Sequence, residues 1–249
     1  MLRLTEARLH LDHPESAIQA LILQRLKITA DALVSYSIFR RSYDARKKSE
    51  IVLNYTLDVE LSQAIDETAL LESLKGDRHV LPAPDTRYHF VAEGPMDPLK
   101  LQNIRPVVIG SGPCGLFAGL LLAQMGFRPI LLERGKAVRE RTQDTWGLWR
   151  RGELNPESNV QFGEGGAGTF SDGKLYSQIK DPQQRARKVL TEFVKAGAPP
   201  EILYVSKPHI GTFRLVAVVE NLRAAIQALG GEIRFNSRVE DLLIEHGEV

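Results

Sequence analysis

Apolar and polar positions alternate most regularly between Ile51 and Leu61. There Ile51, Leu53, Tyr55, Leu57, Val59 and Leu61 are interleaved with Val52, Asn54, Thr56, Asp58 and Glu60. A period of two predicts a strand with one buried face. Shorter runs predict strands over Leu2–Leu11, Ala32–Phe39 and Arg87–Val91. Between them, Ile18, Leu21, Ile22 and Leu26 recur at helical spacing behind His13-Pro14-Glu15, and Asp66 to Leu74 reads as a short helix.

The order βαββαβ predicts a ferredoxin-like α+β domain over residues 1–93. Pro82, Pro84, Gly94, Pro95 and Pro98 mark the passage to a linker at 94–104. Between the second and third strands, Arg40, Arg41, Arg46, Lys47 and Lys48 crowd at an expected hairpin tip. Such a cluster could meet phosphate or RNA. The aromatic strand motif of an RNA-recognition domain is missing, which favours a solvated loop or a basic patch facing the second domain.

The pattern changes after the linker. From Pro106 to Phe127 no residue is charged. That length could span a bilayer, but glycines, a proline and a serine break its first half, so a strand and helix buried in an α/β core is the better reading. Val107-Val108-Ile109 reads as a strand, and Gly110-Ser111-Gly112-Pro113-Cys114-Gly115 as a turn. A helix from Leu116 to Met125 ends at Gly126, and a second strand, Pro129–Leu132, stops at Glu133. This is the strand–GxGxxG–helix–strand–acid order of a dinucleotide-binding unit. Gly110 makes the tight turn, Gly112 lets backbone approach a pyrophosphate, and Gly115 lets helix and strand pack closely. Glu133 is placed to accept from ribose hydroxyls. Gly112 and Glu133 are therefore expected to serve the cofactor rather than the fold.

Ala137–Arg151 predicts a helix bearing Val138, Trp146 and Trp149, the tryptophans as packing. Asn159 to Leu175 then crowds five glycines, Gly163, Gly165, Gly166, Gly168 and Gly173, around Thr169, Ser171 and Lys174. Backbone with so little side-chain cover suits a planar or anionic ligand. Asp181-Pro182-Gln183-Gln184 reads as the start of a helix carrying Val189, Leu190, Phe193 and Val194. A short strand is expected at Leu203–Ser206, and a strongly periodic helix runs through Leu215, Val218, Val219, Leu222, Ile226 and Leu229. Further strands are expected at Ile233–Phe235 and from Val239 to Ile244. His209, in a Pro/Gly turn, is a weak candidate for a catalytic acid.

Composition excludes little. The chain has 249 residues, 43% hydrophobic and 25% charged, with net charge +1, as expected of one or two soluble domains without a polyelectrolyte partner. Its single cysteine, Cys114, rules out an intrachain disulfide and a CxxC pair. A helix start could activate its thiol, but a pyrophosphate would occupy the same turn, so Cys114 reads as packing. MLRLTEARLHLDHP does not read as a signal peptide, and a cytoplasmic setting is expected.

Three segments, RRSYDARKK, VVIGSGPCGLFAGLLLAQMGFRPILLERG and VQFGEGGAGTFSDGKL with KPHIGT behind it, carry a family resemblance. The chain resembles the bacterial FAD-dependent dehydrogenases of unassigned substrate, within the glutathione-reductase-like flavoproteins. The resemblance implies FAD on the fingerprint and a Rossmann-type domain over 105–249. It implies a cofactor set of Gly110, Ser111, Gly112, Pro113, Cys114 and Gly115 in the turn, with Glu133 and Arg134 after the second strand. Gly165, Gly166, Ala167, Gly168 and Thr169 would approach the pyrophosphate or flavin, and Val239 the adenine. Members of that family continue well past the equivalent of Val249, so the FAD domain is expected to be incomplete here.

The function expected is an FAD-dependent oxidoreductase of unassigned substrate, with NAD(P)H a possible electron donor and no metal. The alternative is a non-catalytic nucleotide-binding or RNA-contacting module. In a sheet ordered 3-2-1, the strand Val107–Ile109 would form an exposed edge open to association.

Overall fold

The computed structural model describes residues 1–47, 49–95 and 105–244. The chain is mixed α/β, with one antiparallel and one parallel sheet. It divides into two compact units, Met1–Thr86 with Glu201–Pro208, and Arg87–Pro200 with His209–Val249. Sequence placed the boundary at 93 and a linker at 94–104, of which 96–104 lie outside the described residues.

In the first unit, β1 (Leu2–His10), β2 (Leu33–Asp44), β3 (Val52–Leu61) and β4 (Val80–Pro82) form a sheet of order β2-β3-β1-β4. Every pairing in it is antiparallel. The alternation seen in sequence is the cause. Leu53, Tyr55, Leu57, Val59 and Leu61 of β3 all face inward, and Leu2, Leu4 and Ala7 of β1 join them. Helix α1 (Ser16–Leu26) buries Ile18, Ile22 and Leu26 in the same core. Helix α2 (Glu67–Ser73) is capped by Asp66, whose carboxylate accepts from the N–H groups of Thr68 at 2.9 Å and Ala69 at 3.2 Å.

Three expectations for this unit need correction. The last strand is Val80–Pro82, pairing Val80 with Leu4 and Pro82 with Leu2, and no strand forms at Arg87–Val91. Val80 is buried opposite Leu4, while Pro82 lies in an edge strand, where a missing N–H is tolerated. Second, Arg40 and Arg41 lie on β2 itself. Of the remaining basic residues, Arg46 is paired with Asp44 and Lys47 with Glu50, and Lys48 lies outside the described residues. Third, Leu203–Ser206 is not a strand. A 3-10 turn covers Pro200–Leu203, and Val205 makes a single bridge with Arg41, whose N–H donates to the Tyr204 carbonyl at 2.7 Å.

In the second unit, β5 (Val107–Ile109), β6 (Ile130–Leu132) and β7 (Glu232–Arg234) form a parallel sheet in that order. Val108 stands beside Leu131, and Leu131 beside Ile233. Helices α3 (Pro113–Gln124), α4 (Val138–Arg151), α5 (Arg185–Lys195) and α6 (Thr212–Ala228) complete it. Leu116, Leu120 and Ala123 of α3, Leu131 of β6, and Val218, Leu222 and Ile226 of α6 are all buried. The charge-free run Pro106–Phe127 is divided among β5, a turn and α3. Among the described residues no helix is long and apolar enough to cross a membrane.

Two further expectations differ here. Helix α5 begins at Arg185, not Pro182, because the chain turns first: Gln184 donates to the Asp181 carbonyl and adopts φ 54°. Asp181 still serves the helix start, accepting from the N–H groups of Arg185 and Ala186. No strand forms over Val239–Ile244, where Leu242, Leu243 and Ile244 are exposed. Periodicity alone supplied that expectation, and the segment pairs with no strand among the described residues.

Candidate functional site

The site is built at the carboxyl ends of the three parallel strands. After β5 the chain turns through Gly110 at φ 91°, a conformation that disfavours any side chain. Ser111 is buried, and Gly112 caps α3 with Pro113 at the first helical position. In the first turn, the N–H groups of Cys114 and Gly115 have no carbonyl within the helix to receive them. Gly115 is obligatory for a different reason. A Cβ there would collide with the carbonyl oxygen of Gly110, so the helix can approach the turn only without a side chain.

β6 delivers Glu133 to the same place. Glu133 is 4% exposed, and its carboxylate is held by Ser111 and Gly135. Oε2 accepts from the Ser111 N–H at 2.7 Å and the Ser111 hydroxyl at 2.8 Å, and Oε1 accepts from the Gly135 N–H at 2.9 Å. Glu133 is therefore part of the fold, contrary to the expectation that it serves the cofactor alone. An acceptor position remains on Oε1, since a carboxylate oxygen can take two donors.

The second glycine-rich segment folds back on the first. The Gly165 N–H donates to the Ser111 carbonyl at 2.9 Å, and a Cβ on Gly112 would stand 4.0 Å from Gly166 Cα. Residues Ala167–Phe170 form a 3-10 turn with Thr169 buried. Two cavities flank the Gly112–Gly166 approach. One, of about 350 Å³, is lined by Gly110, Gly112, Glu133, Arg134, Gly166 and Val239, together with Phe162, Ser237 and Arg238. The other, of about 470 Å³, is mainly apolar. Phe117, Phe193, Leu215 and Val218 line it with Pro113, Cys114, Gly165, Gly168, Thr169 and Lys174.

The expected residues divide accordingly. Gly110, Gly112, Glu133, Arg134, Gly166 and Val239 meet at the first cavity, and Pro113, Cys114, Gly165, Gly168 and Thr169 at the second. Ser111, Gly115 and Ala167 shape the backbone between them. The guanidinium of Arg134 lies 3.8 Å from the Phe162 ring centre and is paired with Glu157. His209 is exposed, bridges Lys174, and is not among the residues lining either cavity. Cys114 is a free, exposed thiol.

Two residues escaped the sequence reading. Arg141 is wholly buried and donates to the carbonyls of Asn159, Val160, Glu164 and Gly166. Burial pulls it down to about 10, so it remains a cation at neutral pH. Glu164, also wholly buried, accepts from the Val138 N–H at 2.8 Å and from Arg223 at 2.7 Å. Burial pushes its carboxyl up, against the opposing pull of Arg223. A signal for Arg141 was present. It shares the inward face of α4 with Val138 and Thr145, at helical spacing, where a charge needs a reason.

Comparison with known proteins bears on the chain in two ways. Residues 1–60 match the family model described as a domain of unknown function, DUF8436. An uncharacterized protein of Clostridium beijerinckii is 41% identical over 248 residues, a match that spans 100% of this chain and 45% of that relative. The chain thus spans less than half the length of the curated relative it matches. Neither description names a ligand or a reaction, so the functional reading rests on the residues themselves.

Proposed function

We propose that the chain binds FAD through its second unit and forms the cofactor-binding part of a flavin oxidoreductase. The observation that carries this reading is the convergence of Gly110, Gly112, Glu133, Gly166 and Val239 on one cavity at the carboxyl ends of parallel strands. Ligands of open α/β sheets bind in that position. The order β5-β6-β7 suits the first half of a Rossmann-type sheet. In the first unit, the order β2-β3-β1-β4 with two helices suits a ferredoxin-like domain.

The residues fit the cofactor. Glu133 has acceptor capacity left for a ribose hydroxyl, and Val239 offers an apolar surface beside it. Gly112 and Gly166 meet backbone to backbone at the wall of the first cavity, where the unpaired N–H groups at the start of α3 favour an anionic group. The apolar second cavity would take the flavin end, excluding water through Phe117, Phe193 and Val218. When bound, FAD would supply two-electron redox chemistry that the side chains lack.

The test is an absorbance and fluorescence titration of the purified full chain with FAD, FMN and NAD. Saturable quenching by FAD, with bands that bleach on adding NAD(P)H, is the expected result. Binding of NAD in preference to FAD would reassign the site, and failure to bind any of the three would remove the reading.

A further inference from the structure

Resting on the dinucleotide reading above, we infer that Arg141 is the positioning residue of the pyrophosphate cradle, acting from beneath the loop that faces the ligand. Its guanidinium is 0% exposed, and no carboxylate lies within ion-pair distance of it among the described residues. The two carboxylates near enough to influence its charge are committed elsewhere, Glu133 to Ser111 and Gly135, and Glu164 to Val138 and Arg223. Every bond Arg141 makes is to a backbone carbonyl. These are Asn159 at 2.7 Å, Val160 at 2.7 Å, Glu164 at 2.7 Å and Gly166 at 2.8 Å.

The consequence follows from the planar trans peptide, in which carbonyl and N–H point in opposite directions. Arg141 draws the carbonyls of Glu164 and Gly166 inward, so the N–H groups of Gly165 and Ala167 are turned away from it. The Gly165 N–H accordingly reaches the Ser111 carbonyl at 2.9 Å, pinning the loop to the first glycine turn. Carbonyl oxygens that would repel a phosphate are thereby held away from the cavity walls formed by Gly165 and Gly166. A hydrophobic residue of similar size could fill the space but could not orient four carbonyls. Lysine offers three donors and could satisfy part of the set.

The test uses the full chain and two probes, ADP and adenosine, which share the base and ribose but differ in the pyrophosphate. Affinities are measured by calorimetry for the parent, Arg141→Lys and Arg141→Gln, with circular dichroism to confirm folding. The expected result is that Arg141→Gln weakens ADP by about tenfold or more and leaves adenosine within about twofold, with Arg141→Lys between. Parallel losses for both probes, or an unchanged ratio, would overturn the assignment. Should Arg141→Gln not fold, the lysine variant decides on the same ratio. A parent chain that binds neither ADP nor FAD fails at an earlier step, and removes the dinucleotide reading and this inference together.

Discussion

The carboxylate of Glu133 holds Ser111 twice, through its backbone N–H at 2.7 Å and its hydroxyl at 2.8 Å. One acidic side chain thus ties the end of β6 to the glycine turn after β5. On the FAD reading proposed above, Glu133 would serve both fold and ligand, and variants separate the two. Glu133→Ala should lower stability by about 1–3 kcal/mol, because charge-assisted bonds in a buried setting are lost. Ser111→Ala removes only the hydroxyl bond and should cost about 1 kcal/mol, leaving FAD affinity close to the parent. Urea denaturation and a flavin titration on both variants check this.

Gly112 and Gly115 should respond oppositely to substitution. Gly112 has φ −66° and ψ −178°, which any residue can adopt, and an added Cβ meets only Gly166 Cα at 4.0 Å. Gly112→Val should therefore fold normally and lose FAD affinity. Gly115→Ala drives a Cβ into the Gly110 carbonyl and should cost stability first, by about 1–3 kcal/mol. Melting temperatures that move equally in the two variants would contradict the geometry.

These contrasts mark what sequence could and could not carry. The alternation from Leu53 to Leu61 and the spacing Gly110-Gly112-Gly115-Glu133 are local signals, and the elements follow them. Val80–Pro82 is a strand of only three residues ending in proline, too short for a period to register. It is defined by Leu2 and Leu4 across the sheet rather than by its own pattern. Leu242 to Ile244 shows the reverse case, an apolar run that is exposed and joins neither sheet among the described residues. The partners of Arg141 are backbone carbonyls, which leave no trace in side-chain identity, so its helical spacing with Val138 and Thr145 was the signal that marked it. That Glu133 supports Ser111 as well as facing a cavity was invisible, since one residue type suits both tasks.

Glu164 should impose a pH dependence on stability. Its folded-state carboxyl is raised by burial, so the folded protein binds this proton more tightly than the unfolded chain. Stability must then fall as pH rises from the ordinary glutamate value, about 4.3, toward the raised one. Glu164→Gln removes the titration and keeps an acceptor for the Val138 N–H. The stability difference between variant and parent should shift in favour of the variant as pH rises above the ordinary glutamate value. Parallel stability curves above that value would show that Glu164 does not titrate as described.

The first unit should fold by itself. Its core cluster, including Leu2, Leu4, Ile22, Leu26, Leu57 and Val59, is drawn entirely from residues before Thr86. Residues 1–86, expressed alone, should melt cooperatively, and Leu57→Ala in that segment should cost about 2–5 kcal/mol. A non-cooperative melt would mean that Glu201–Pro208, through the Arg41–Val205 bridge, is needed to complete the unit.

The remaining prediction concerns the edge of the parallel sheet. β5 pairs with β6 on one side and with no strand on the other among the described residues, and Val107 and Ile109 are 56% and 58% exposed. The Gly110 N–H donates to the Leu132 carbonyl of β6, and donors alternate in direction along a strand. The N–H groups of Val107 and Ile109 therefore face the open side. An apolar edge with unused donors is a template for another strand. The 249-residue chain should accordingly self-associate with rising concentration, and Val107→Lys should suppress this by placing a charge on the edge. Val107 does not line either cavity, so FAD affinity should be unaffected by that change. Sedimentation velocity over a hundredfold concentration range distinguishes the cases: a parent chain that stays monomeric throughout, or a lysine variant that associates equally, would show that the β5 edge is not the contact.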